Sequence, residues 1–130
     1  MNPYIACLVF GILCSIVGMN PSYARYKVEY DKLPQEVREW YQTRTLTPKA
    51  EERLHIHGCC DNADVVDTEF KSEKDPNGWH DIWYYKGPNG DFIKVPEDII
   101  HWDEHAPGGK PVLFMYHGQE SCFFPPSGAV

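Results

Sequence analysis

The apolar positions of "YDKLPQEVREWYQTRTL" fall at Leu33, Val37, Trp40 and Tyr41, and Arg44 completes spacings of four, seven, eight and eleven residues. That is the stripe of an amphipathic helix whose apolar members face a core. Pro34 suits a first turn, and Glu36 favours the positive helix end. In "TPKAEERL", Thr47 is a candidate N-cap and Pro48 sits at the first helical position, which predicts one or two further helical turns.

From Ala63 the period changes. "ADVVDTEFK" is rich in β-branched residues and reads as a strand with Val66, Thr68 and Phe70 on one face. "DIWYYKGPNGDFIKVP" predicts a hairpin: an aromatic strand, a turn at Gly87-Pro88-Asn89-Gly90, and a return strand ending at Pro96. "KPVLFMYHGQESCFFPP" predicts a second hairpin, turning at His117-Gly118-Gln119-Glu120 and stopped by Pro125-Pro126. Between them, "EDIIHWDEHAPGG" reads as a loop or a short helical turn. A helix followed by about five short strands, with no β-α-β alternation, predicts an α+β domain in which an N-terminal helix packs on a small, bent antiparallel β-sheet. The periodic phases assign Trp40, Trp83, Phe92, Val112, Phe114 and Phe123 to its core.

The N-terminal pattern differs from all of this. "YIACLVFGILCSIVGM" is an apolar run of signal-peptide length, and Ser22 and Ala24 stand at the −3 and −1 positions of a small-residue cleavage site. The segment before it holds no Lys or Arg, and the rival reading is a retained anchor, which wants ~20 apolar residues. The expected organisation is a signal peptide over 1–24 and a single exported α+β domain over 25–130, periplasmic or secreted, with no stable membrane span after cleavage. All nineteen acidic and twelve basic residues lie in that second part, which therefore carries the full formal charge of −7. Such a surface repels phosphates and argues against nucleic acid and anionic lipid, while fitting a basic protein partner.

Cys7 and Cys14 belong to the leader, leaving Cys59, Cys60 and Cys122. In an oxidising compartment these are first candidates for a disulfide. Adjacent cysteines bond to each other only through a strained ring, so the expected bond joins Cys122 to Cys60, with Cys59 as the alternative partner and the remaining cysteine free. Two rivals exist. A zinc site could combine Cys59 and Cys60 with two of His55, His57, His101 and His105, although "HIHGCC" lacks Cys-x-x-Cys spacing. A thiol-redox centre would want Cys-x-x-Cys at a helix start within a βαβ unit, and neither is present. "CCDNAD" with "CFFPP" near the end resembles a group of small exported proteobacterial proteins of unknown function. They carry a "CCDxxD" element, an aromatic strand followed by "VP", and a C-terminal "CF" before proline. The resemblance implies export and a compact disulfide-linked domain, and brings no activity with it. A further cysteine follows the "CCDxxD" run in that group; Val65 stands there in this chain, which implies one lost pair.

His101 and His105 are four apart in "HWDEHAP", so on a helix they would share a face and could hold a divalent ion. Trp102 occupies the place of the general-base Glu of a His-Glu-x-x-His motif, and Pro107 with two glycines limits any helix to about one turn. The expected arrangement is instead a surface loop with Trp102 docked in the core and the histidines making local hydrogen bonds. His55 and His57 alternate as on one side of a strand, while His80 and His117 read as solvated turn residues. No nucleophile elbow, phosphate-cradling loop or dinucleotide fingerprint occurs, so no cofactor and no catalytic residue is assigned. The expected function is a non-catalytic exported binding or envelope-associated module, binding for example a basic protein such as a cationic cell-wall hydrolase. The alternative is a metal-binding protein or metal-dependent enzyme using His55, His57, His101 and His105.

Overall fold

The computed structural model describes residues 28–127; the expected leader lies outside them. Two α-helices, α1 (Gln35–Gln42) and α2 (Pro48–Leu54), precede six strands: β1 (Ala63–Val65), β2 (Phe70–Glu73), β3 (Ile82–Lys86), β4 (Phe92–Lys94), β5 (Val112–Tyr116) and β6 (Gln119–Phe124). The α+β, disulfide-tied architecture is as the pattern predicts, but the single sheet of about five strands is in fact two antiparallel three-stranded sheets, β1-β5-β6 and β2-β3-β4.

The division arises in the segment read as one strand. The amide of Val66 still donates to Leu113 of the first sheet, whereas the Glu69 carbonyl already accepts from Lys86 of the second. The Thr68 hydroxyl donates to the Lys86 carbonyl at 2.5 Å, holding the crossing point. Period-two patterning continues through such a crossing, so it cannot show that the partner strand has changed.

α1 is shorter than its stripe. Leu33, the residue before Pro34, is extended (ψ 148°), which separates a short 3-10 turn over Tyr30–Lys32 from the helix. α2 starts as its sequence predicts, with the Thr47 hydroxyl accepting from the Ala50 amide at 3.2 Å. It ends on His55 in the left-handed conformation (φ 57°), so His55 is a helix cap and not a strand residue. The second hairpin turns tightly at His117 (φ 47°) and Gly118 (φ 77°), the two positive-φ positions of a two-residue loop, and Gln119 and Glu120 belong to β6. β6 carries an irregularity opposite Phe114 and Met115; Ser121 is buried there, its hydroxyl donating to the Phe114 carbonyl at 3.1 Å.

Phe124 and Phe123 occupy opposite faces of β6. Phe124 meets Trp40 of α1 at 4.9 Å between ring centroids, and Phe114 beside it meets Tyr41 at 5.5 Å. Phe123 meets Phe70 at 6.0 Å and Trp83 at 5.6 Å, so it joins the two sheets. The outer edge of β6 is covered by the 100–106 segment, where the amides of His101 and Ala106 donate to the carbonyls of Phe123 and Pro125. Of the residues assigned to the core, Trp83, Val112, Phe114 and Phe123 are buried, while Trp40 is half-buried. Phe92 corrects the assignment: it is 39% exposed, because β4 is an edge strand whose outer face meets solvent. No helix among the described residues is long and apolar enough to cross a membrane.

Candidate functional site

The stretch "HIHGCCD" is held by backbone pairing with the residues between the helices. The Leu46 amide donates to the His57 carbonyl and the Cys59 amide to the Arg44 carbonyl, both at 2.9 Å. Asp61 then closes the turn, accepting from the Gly58 amide through its carboxylate at 2.9 Å. A Cβ at Gly58 would lie 2.9 Å from that carboxylate, so a larger residue there would displace the Asp61 side chain. This geometry sends Cys59 inward to bond Cys122, with Cα atoms 5.9 Å apart, and leaves Cys60 free and half-buried. The preference for Cys60 as the bonded partner is therefore corrected in favour of Cys59. Burial, with Asp61 adding to it, pushes the Cys60 thiol up, which keeps it protonated and a poor nucleophile near neutral pH.

The four histidines do not form one ligand set. His55, His57 and His105 are exposed, and His57 contacts Glu51 at 3.2 Å. His101 is 8% exposed, stacked on Phe124 at 4.2 Å, with its Nε2 lacking a hydrogen-bond partner. Among the described residues, the group of three or more potential metal ligands whose donor atoms come together is Cys59, His101 and Cys122, within 4.8 Å of one another. The expected loop arrangement is thus reversed: the histidine enters the core, and its neighbour Trp102 stays half-buried. The parallel bridge of Ile100 to Phe123, with the His101 amide donating to the Phe123 carbonyl, holds the His101 ring against Phe124.

Trp102 instead stacks on His80, with ring centroids 4.0 Å apart. The pair lines a cleft of about 200 Å³ with Trp79, Trp83 and the carboxylates of Asp75, Asp81 and Glu97. Asp75 shapes the turn below it by accepting from the Asn77 amide at 2.9 Å. Trp79 is 95% exposed, and the Trp83 indole nitrogen is buried without a partner. Lys74 and Lys94 approach Asp81 and Glu97 at 3.7 and 3.8 Å, long contacts in which both ammonium groups are exposed while Asp81 is largely covered. Such pairs contribute little and yield readily to another cation. The sequence signal for this site is "DPNGWHD", a tryptophan in a run of turn residues, outside any apolar period.

No family model matches the chain, and no curated protein and no solved structure matches it.

Proposed function

We propose that this chain is an exported, non-catalytic binding module whose aromatic and acidic cleft takes basic side chains of a protein partner. The observation that carries this is Trp79, a large aromatic 95% exposed at the rim of a cleft lined by Asp75, Asp81 and Glu97. A solvated indole contributes nothing to folding, whereas aromatic anchors dominate interface energies. Cations bind favourably over indole faces, and nearby carboxylates add to that attraction. The formal charge of −7 steers basic partners toward the chain. Export rests on the apolar N-terminal run and fits a disulfide that oxidising surroundings maintain.

Calorimetric titration with a cationic cell-wall hydrolase such as lysozyme, beside an acidic protein of similar size, tests this reading. Saturable binding to the basic protein alone is expected, weakening as salt rises. Trp79→Ala should lower the affinity at least about tenfold while leaving thermal stability unchanged. Binding indifferent to Trp79, or shared with the acidic protein, counts against the cleft.

A further inference from the structure

The Cys59–Cys122 bond lies beside an imidazole whose Nε2 has no hydrogen-bond partner. Cys59 comes from the loop after α2, Cys122 from β6, and His101 from the segment paired along the edge of β6. Three separate parts of the chain thus bring two sulfurs and one ring nitrogen within 4.8 Å of one another, all in buried residues. The His101 Nε2 is enclosed without any hydrogen-bond partner, and a phenylalanine would provide the same stacking on Phe124 without an orphaned polar atom. An imidazole that carries an unpartnered nitrogen and brings a ring nitrogen to two cysteine sulfurs has a second use: with the sulfurs as thiolates, the three form a metal-ligand set.

We propose that reduction of Cys59–Cys122 turns this locus into a Cys2His site for a zinc-like divalent ion. An external dithiol supplies the two electrons and two protons: its own two S–H groups become a disulfide as the Cys59–Cys122 bond becomes two thiols. The incoming ion then displaces one proton from each thiol. Two thiolates and a neutral imidazole balance a 2+ ion, whereas monovalent copper would leave a net negative charge among buried ligands. Oxygen-seeking calcium and magnesium find no matching donors. Tetrahedral zinc, with bonds of about 2.3 Å to sulfur and 2.0–2.1 Å to nitrogen, places its sulfurs ~3.8 Å apart. Freed thiols separate to about that distance by ordinary contact. The fourth position goes to water or an exogenous ligand. Cys60 is outside the set.

The test uses cobalt(II) as a spectroscopic probe on the purified protein, reduced with a phosphine and desalted without air. One equivalent of cobalt should give thiolate-to-metal charge-transfer absorption, and one equivalent of zinc should abolish it. Oxidised protein should give none. His101→Phe, which keeps a ring against Phe124, should weaken cobalt binding by more than about 100-fold, beyond the loss typical of a supporting group. Cys60→Ser should bind as the unaltered protein does. Circular dichroism follows the fold throughout. A reduced protein that is folded yet gives no charge transfer overturns the proposal, as does one that unfolds and stays unfolded with cobalt. Equal binding by His101→Phe, or loss of binding in Cys60→Ser, overturns it equally.

Discussion

The two sheets have the same strand number and the same antiparallel pairing, yet they are built in opposite ways. In β1-β5-β6 both faces of the long hairpin are covered, one by Trp40 and Tyr41 of α1, the other through Phe123 by the second sheet. In β2-β3-β4 only the central strand alternates into the core, through Trp83 and Tyr85, while β2 and β4 are largely exposed. The first sheet is a structural centre that also holds the disulfide and His101. The second leans on it, joined by Phe123 and by the Tyr85 hydroxyl, which donates to Glu120 at 2.6 Å. The proposed recognition cleft lies by the dependent sheet and the proposed sulfur chemistry on the central one, and the two would make different demands on the fold. A surface can expose Trp79 at no cost to folding, whereas a buried cysteine–imidazole cluster needs a rigid surround.

The comparison breaks most visibly at the residue both sheets share. Phe123→Ala empties a fully buried site between them and should cost about 5 kcal/mol, the upper end for a core aromatic. Urea unfolding reads this, and a cost below ~2 kcal/mol would mean that the sheets stand independently. Removing the staple frees the loop after α2 from the first sheet. The bond spans 63 residues, and the chain-entropy argument gives about 4 kcal/mol for such a loop. A Cys59→Ala/Cys122→Ala chain should lose that much by the same measurement.

A smaller effect probes the buried side of the first sheet with pH. Burial foremost holds His101 below its ordinary value of 6.5; Glu104 and Asp103 oppose this, and Arg44 adds to it. Between that lowered value and 6.5 the unfolded chain binds a proton that the folded one does not, so stability falls as pH drops through this window. His101→Phe removes the linkage. The unaltered protein should therefore lose more stability than His101→Phe between pH 7.5 and 5, and equal losses would refute a neutral buried imidazole.

The same contrast decides what was legible in the sequence. α2 was readable to its cap because Thr47 and Pro48 signal locally, and the hairpin turn before Gly90 was readable for the same reason. Helix, strand and hairpin types follow from period and turn residues, which are short-range properties. Partner choice is long-range. Nothing in "ADVVDTEFK" marks where the chain leaves one sheet for another, and nothing in "HWDEHAP" states that its backbone will pair with β6 and carry His101 inward. The bonded cysteine depended likewise on a backbone bridge between residues 44–46 and 57–59. Trp79 lies outside every apolar period and so reads as loop filler, although that is the signature of an aromatic not used for folding.

The smallest effect sharpens the comparison at the outer face of the second sheet. Phe92 has the chemistry of a core residue, yet it pairs with Lys86, on the face of β3 away from Trp83 and Tyr85, and is 39% exposed. Its contacts are of a surface kind: the Lys71 ammonium lies 4.6 Å from its ring centroid and 5.1 Å from that of Tyr84. An exposed cation–π contact contributes roughly 0.5–1 kcal/mol. Phe92→Ala should therefore cost less than about 1 kcal/mol, against ~3–5 kcal/mol for Trp83→Ala on the inner face of the neighbouring strand. Lys71→Ala should reproduce most of the Phe92 loss, and the double variant should add little, since both remove one interaction. A Phe92→Ala cost approaching that of Trp83→Ala would show that the outer face is covered in solution, and the second sheet would then be built like the first.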